Sequence, residues 1–285
     1  MNLFEGLEKF GLQTQHVGSL FEEDKKSTTT NEDGETVEEI PTEDEFLLEK
    51  GVRCTVCDRG FKAKMIKSGR VKRLESDEDL RPRHQYIDTI KYDVLSCPHC
   101  GYTAINRYFE HLPSVQIRLI KEQVCANFKS TDENEPATYD YDTAIGRYKL
   151  ALYTTMVKKG KASEKAYSCL KIAWLYRGKA EALDQADAAY EADLKACKEQ
   201  EDLFYRQAYE GFMKAVSAEM FPICGMDQNT LDYLLAYMAG YFKDYGVASK
   251  CIANILQAQS APGKIKERAR DLKERIVAEI KATKQ

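Results

Sequence analysis

Four cysteines occur as two pairs with the same spacing, CTVC at residues 54–57 and CPHC at residues 97–100. A Cys-x-x-Cys turn presents two sulfurs from one tight knuckle, and two knuckles supply the four soft thiolates that a tetrahedral Zn²⁺ prefers. Pro98 and Gly101 favour the second turn, because proline presets φ and glycine accepts a positive φ. We therefore predict one zinc ion per chain, held by Cys54, Cys57, Cys97 and Cys100.

This ligand set leaves other chemistries open. CTVC and CPHCG also resemble the knuckles of rubredoxin, in which four thiolates hold a redox-active iron, and an all-sulfur site does not by itself separate zinc from iron. A thioredoxin-like thiol pair requires a βαβ neighbourhood, which the flanking sequence lacks. His84 and His111 are alternative ligands, whereas His99, inside the second knuckle, is expected to be exposed.

The elements that must position these cysteines are short. Runs typical of β-strands stand at residues 51–53, 71–74 and 92–95. The 39 residues between the pairs exceed the usual ribbon spacing of about 15–20, which predicts an extended hairpin or an inserted loop. The other five cysteines are expected to be buried in or beside helices as small hydrophobic side chains: Cys125, Cys169, Cys197, Cys224 and Cys251.

Residues 113–285 read as helical, because long stretches lack proline and glycine. A stripe of Tyr, Ala and bulky residues at helical offsets recurs three times. Its members are Tyr141, Ala144, Tyr148 and Ala151, then Tyr205, Ala208, Phe212 and Ala215, then Tyr245, Ala248, Ile252 and Ile255. Tyr167, Leu170, Trp174 and Gly178 fit the partner helix of a tetratricopeptide repeat, although Lys171 replaces the expected glycine, so that Lys171→Ala should be nearly neutral.

Charge is distributed unevenly along the chain. Residues 1–50 hold fourteen acids and four bases, so residues 1–49 are expected to be an acidic, largely disordered segment. Residues 50–112 form the predicted zinc ribbon, with seven bases and no acid between residues 59 and 73. The acidic segment would lie loosely over this basic face and screen it from anions. The helical region from 113 to 285 completes a mainly α fold behind a small β ribbon.

The second knuckle and its flanks, LRPRHQYIDTIKYDVLSCPHCGY, followed by YDTAIGRYKLAL, resemble a bacterial family of uncharacterised proteins. The resemblance runs from about residue 51 to about residue 178 and more loosely to the end. It implies an N-terminal zinc ribbon with a C-terminal tetratricopeptide-like region, and it carries over the four cysteines as ligands and nothing else.

No catalytic motif is present in the sequence: it has no Gly-x-Ser-x-Gly, His-Glu-x-x-His, P-loop or dinucleotide fingerprint, so an enzyme is not expected. We expect a non-catalytic zinc-binding scaffold that binds a protein or peptide through its helical repeats. The alternatives are an iron electron carrier and a nucleic-acid-associated regulator. The regulator would use the basic face of Arg59, Lys62, Lys64, Lys67, Arg70, Lys72 and Arg73.

The sequence also predicts where the protein resides. No apolar run approaches the length of a membrane span, so no membrane partner is expected. The acidic N-terminus lacks the features of a signal peptide, which predicts a cytoplasmic location with reduced thiols.

Overall fold

The computed structural model describes residues 29–30, 36–37, 40–129 and 135–283. The chain divides into two compact units, Met1–Pro41 and Thr42–Gln285. In the first unit, strands β1 (Thr29–Thr30) and β2 (Thr36–Val37) pair antiparallel. The prediction of an acidic, disordered segment over residues 1–49, and its screening of the basic face, falls mostly outside the described residues and stays a prediction.

The second unit begins with a β-hairpin that carries the first cysteine pair. A 3₁₀ turn, Glu43–Phe46, leads into β3 (Leu47–Arg53), which pairs antiparallel with β4 (Gly60–Ile66). The register runs from Leu47 opposite Ile66 to Arg53 opposite Gly60, so the strands stay paired up to the knuckle. The strand-like run expected at residues 71–74 is wrong: only an isolated bridge joins Arg73 to His84 there.

A second, shorter hairpin carries the other pair. Strand β5 (Val94–Ser96) pairs antiparallel with β6 (Thr103–Ile105), after a 3₁₀ turn at Thr89–Tyr92. The side chains of both strands are largely buried, in keeping with their apolar sequences. Helix α1 (Asn106–Phe109) follows at once and directs the chain towards the helical region.

The remaining α-helices extend from residue 114 to the end of the described chain. They are α2 (Ser114–Ile120), α3 (Tyr141–Val157), α4 (Ala162–Glu181), α5 (Tyr190–Ala218), α6 (Gln228–Tyr241), α7 (Tyr245–Gln257) and α8 (Gly263–Thr283). Aspartates cap three of them: Asp140, Asp227 and Asp244 each accept a hydrogen bond from the backbone N–H three residues on, at 2.7, 2.7 and 3.3 Å. Among the described residues, no helix has the length and apolarity needed to cross a membrane.

The repeated stripe forms the helix contacts. Ten of its twelve members are buried, and only Tyr141 and Tyr245 are partly exposed. At Gly211, a Cβ would lie 2.8 Å from Ala166 Cβ, which shows how closely α5 approaches α4. The fold is therefore mainly α with small antiparallel sheets ahead of the helices, as predicted. The tetratricopeptide resemblance of these helices stays a prediction.

The ribbon and the helices share buried surface. Ile90, Val94 and Ile105, from the second hairpin region, lie in the same hydrophobic core as α3 to α8. Val157 of α3 in turn belongs to the core that surrounds the cysteines. The sequence predicts a boundary between the zinc ribbon and the helical region at residues 112 and 113. This boundary stays a prediction, and both segments belong to the compact unit Thr42–Gln285.

Candidate metal centre

Each cysteine pair lies at the tip of a hairpin, and the two tips have the same backbone hydrogen bonds. In the first, Cys54 N–H donates to Arg59 O at 2.9 Å and Asp58 N–H donates to Cys54 O at 2.8 Å. In the second, Cys97 N–H donates to Tyr102 O at 2.9 Å and the N–H of residue 101 donates to Cys97 O at 3.0 Å. The two knuckles are therefore structural copies of each other, although their intervening residues differ.

The residue after each pair has a positive φ, 63° at Asp58 and 75° at Gly101. Glycine adopts this conformation readily, and aspartate is one of the few other residues that tolerate it. Arg53 holds the Asp58 carboxylate through two hydrogen bonds of 2.6 Å. At Gly101 there is no room for a side chain, because a Cβ would lie 2.3 Å from Phe128 Cδ2.

The two tips bring the four sulfurs together. Cys54 Sγ lies 3.7 Å from Cys100 Sγ, and Cys57 Sγ lies 3.7 Å from Cys97 Sγ. All four sulfurs lie within 4.8 Å of one another. A tetrahedron with metal–sulfur bonds of about 2.3 Å has sulfurs about 3.8 Å apart, so the four residues fit a tetrahedral metal. The arrangement can hold a metal ion, and its geometry is common to zinc and iron.

The cluster is closed. Cys54 and Cys97 are fully buried, Cys100 is nearly so, and only Cys57 is partly exposed. Tyr102 and Phe109 stack beside the knuckles with ring centroids 4.7 Å apart. Zinc sites in which four protein ligands complete the coordination shell are typically structural, whereas catalytic zinc sites keep one position open for water.

The thiols are arranged to favour a thiolate. Hydrogen bonds from the thiols of Cys100 and Cys54, helped by the backbone N–H groups of His99 and Cys100, outweigh the effect of burial and lower the pKa of Cys97 to about 4. The hydrogen bond with Cys54 raises the pKa of Cys100. The cluster thus stabilises negative charge on a sulfur, which is the state in which cysteine binds a metal.

The three histidines that the structure describes lie outside the cluster. His99 is exposed, as expected, and its Nε2 lies 3.2 Å from Gly60 O, so that it bridges the second knuckle to the first hairpin. His84 Nδ1 contacts Thr89 Oγ1 at 3.2 Å, and His111 is exposed. Among the described residues, the cluster that could hold a metal ion consists of the four cysteines and includes no histidine.

None of the other five cysteines belongs to the four-sulfur cluster, but Cys125 lies close to Cys100. Cys169, Cys197 and Cys251 are buried in helices, as predicted, whereas Cys125 and Cys224 are only partly buried. Cys125 ends a π-helical turn, Lys121–Cys125, and packs against the core that contains the cluster. Sequence reasoning did not place this fifth thiol beside the metal centre, since Cys125 reaches the core around the cluster only through tertiary packing.

Basic residues of the first hairpin region largely have partners on this chain. Lys64 is buried and its Nζ lies 3.7 Å from a glutamate carboxylate, and Lys62 pairs with a glutamate of β3 at 3.1 Å. Lys67 donates to Glu45 O at 3.0 Å, and Arg70 lies 3.9 Å from the Glu45 carboxylate. Five of the seven are exposed to solvent: Arg59, Lys62, Arg70, Lys72 and Arg73. The nucleic-acid role of this set stays a prediction.

Fold and site together define a class, a mainly α protein with a four-cysteine, ribbon-like cluster that can hold a metal ion. The chain belongs to the family described as "Uncharacterized protein conserved in bacteria (DUF2225)", whose model matches residues 47–276. The match extends from the start of β3 into α8, and so includes both the ribbon and the helices. No curated protein and no solved structure matches the chain.

Proposed function

We propose that this protein is a non-catalytic zinc-binding scaffold. Cys54, Cys57, Cys97 and Cys100 hold one Zn²⁺, and the helical region binds a protein partner. The observation that carries the metal assignment is the compact set of four sulfurs, with distances of 3.7 Å at two of its edges. A closed site of this kind supports folding instead of activating water, so the metal holds the two hairpin tips together.

The partner half of the proposal is supported by the helices. Stacked helix pairs build concave surfaces that hold peptides, and the function of such a surface depends on the side chains that line it.

The nine cysteines form no disulfide, in keeping with the cytoplasmic location that we propose. Affinity capture from the native cell, followed by identification of bound protein and nucleic acid, tests whether the partner is a protein.

Metal analysis of purified protein and of two cysteine variants tests the zinc assignment. Wild-type protein should contain about one zinc per chain and show no visible colour, and Cys97→Ser should lose the metal. Cys125→Ser is the matched control, because Cys125 packs beside the cluster and is not one of its four sulfurs. A coloured protein with stoichiometric iron would support the electron carrier instead. Metal loss from Cys125→Ser would show that the ligand set is wrong.

A further inference from the structure

The loop between the two knuckles carries an acidic tip at residues 75–80, which we call the acidic finger. Its sequence is ESDEDL, four acids in six residues. Backbone bonds fold it as an irregular hairpin: Leu74 N–H donates to Arg83 O at 2.9 Å, and Asp77 N–H donates to Arg81 O at 3.0 Å. This is the inserted loop that the long spacer predicts, and its tip packs against the helices instead of the ribbon.

The finger lies in a groove whose walls are α4, α6 and α8. The Asp79 side chain is fully buried, and its Oδ2 accepts hydrogen bonds from Trp174 Nε1 at 2.8 Å and from Arg177 Nη2 at 2.9 Å. A buried carboxylate is stable only when it is paired and hydrogen-bonded, and these two side chains provide both. The groove therefore contains a built receptor for one carboxylate.

The groove also binds the backbone of the finger. Tyr233 of α6 donates its hydroxyl to Glu78 O at 2.8 Å. Arg268 of α8 donates to Asp77 O at 3.2 Å and to Ser76 O at 3.3 Å. Bonds to backbone carbonyls do not depend on side-chain identity, so another segment of similar conformation can make them.

The rim of the groove is basic and open to solvent. Arg275 pairs with Glu78, and Lys264 lies 3.3 Å from Glu75, with the side chains of both pairs substantially exposed. A cleft of about 780 Å³ lies beside the finger and is lined by Arg268 as well as by these cations. Its walls also include Glu267 and Asp271, so that, apart from the finger itself, four cations face two acids in this cleft.

We propose that this groove binds an extended acidic segment of a partner protein, and that the acidic finger occupies the same site in cis. The inference rests on the proposed scaffold function and names the chemistry of its partner. A partner must displace a tethered competitor, whose effective concentration is of about millimolar order for a short tether. Because exposed ion pairs hold the rim, the finger is released there first, and Asp79 last.

Trp174 makes the displacement measurable, since it is the chain's one tryptophan and contacts Asp79 directly. The probe is the peptide ESDEDL with blocked ends and a dye, titrated into the zinc-loaded full chain. Dye anisotropy should rise to saturation while the Trp174 emission changes. The amide peptide QSNQNL, in which every carboxylate is replaced, should produce neither effect.

Two variants sharpen the test. Glu75→Gln combined with Glu78→Gln weakens the competitor at exposed positions that do not endanger folding, and peptide affinity should rise about threefold to tenfold, the equivalent of one or two exposed ion pairs. Adding Arg275→Gln to that variant should reverse the gain. Arg118→Gln, on the exposed face of α2, is the control and should leave the peptide affinity unchanged.

The inference is overturned if the acidic peptide fails to bind the weakened-finger variant, or if the amide peptide binds equally well. Its failure can be separated from failure of the scaffold function. If affinity capture yields a protein whose binding to the chain is unchanged by Arg275→Gln, the scaffold stands and the acidic-peptide site falls. If capture yields nucleic acid alone, while the acidic peptide still displaces the finger, the groove stands as a peptide site and the native partner has been assigned to the wrong class.

Discussion

Individual residues connect the ribbon to the helices, and Lys171 is the clearest case. In the sequence, it is a departure from the glycine of a repeat pattern. In the structure, it is 7% exposed and its ammonium pairs with Asp93, just before β5. Burial lowers the pKa of Lys171, but Asp93 and Tyr167 outweigh burial and hold that pKa above its ordinary value.

We therefore expect Lys171→Ala to destabilise the protein, contrary to the near-neutral effect that the repeat pattern predicts. The change leaves the Asp93 carboxylate without its partner, and the expected loss is about 1–3 kcal/mol, below that of a fully buried pair because Asp93 is partly exposed. Chemical denaturation measures it. The control is Lys179→Ala in the same helix, which breaks a more exposed pair with Asp142 and should cost less than about 1 kcal/mol. Equal effects of the two changes would contradict this account of Lys171.

Residue chemistry was also the most predictable part of the molecule. The four cysteines come together as their spacing predicts, because each Cys-x-x-Cys turn is a local structure, and proline and glycine favour the second of the two turns. Lys171 and Cys125 were not predictable in this way. Their surroundings are formed by segments distant in sequence, and a single sequence does not show which segments meet.

Among the larger elements, the buried faces of the helices could be predicted from the sequence, whereas the strand β4 and the position of the acidic finger could not. The repeated stripe is buried because offsets of three and four residues place its members on one face of a helix. The strand β4 was missed, since its lysines read as a basic run instead of alternating strand positions. The sequence also did not predict where the acidic finger packs, because the residues that contact it lie about one hundred to two hundred positions later in the chain.

At the scale of elements, Ala208→Leu should destabilise the protein by about 1–3 kcal/mol. Ala208 is fully buried on α5, so a larger side chain forces the neighbouring helix away. The control is Ala196→Leu, which is exposed on the same helix and should change stability by less than about 0.5 kcal/mol. Thermal or denaturant unfolding distinguishes them, and a silent Ala208→Leu would mean that α5 does not pack as described.

The whole of Thr42–Gln285 behaves as one compact unit in which the metal centre and the helices share cores. The cysteines lie in a core with Val157 of α3, and the loop between the cysteine pairs contacts Trp174 of α4. Loss of the metal should therefore affect residues far from the sulfurs, since the hairpin tips would no longer be joined.

Removal of the metal with a chelator should lower the unfolding temperature by about 10 °C or more, because a loss of about 4 kcal/mol corresponds to that shift for a unit of this size. Trp174 fluorescence should change together with helical circular dichroism, and restored zinc should reverse both. If the sulfur cluster loses its metal while Trp174 and the helices keep their signals, the ribbon unfolds independently and the shared core does not couple them.

The most direct test of the central claim is X-ray absorption at the zinc edge of the purified full chain. Four thiolates from two hairpin tips predict a single shell of about four sulfur neighbours at about 2.3 Å. A shell that includes nitrogen or oxygen at about 2.0–2.2 Å would mean that a histidine, a carboxylate or water completes the site. That result would contradict a closed four-cysteine centre, and with it the structural role that we assign to the metal.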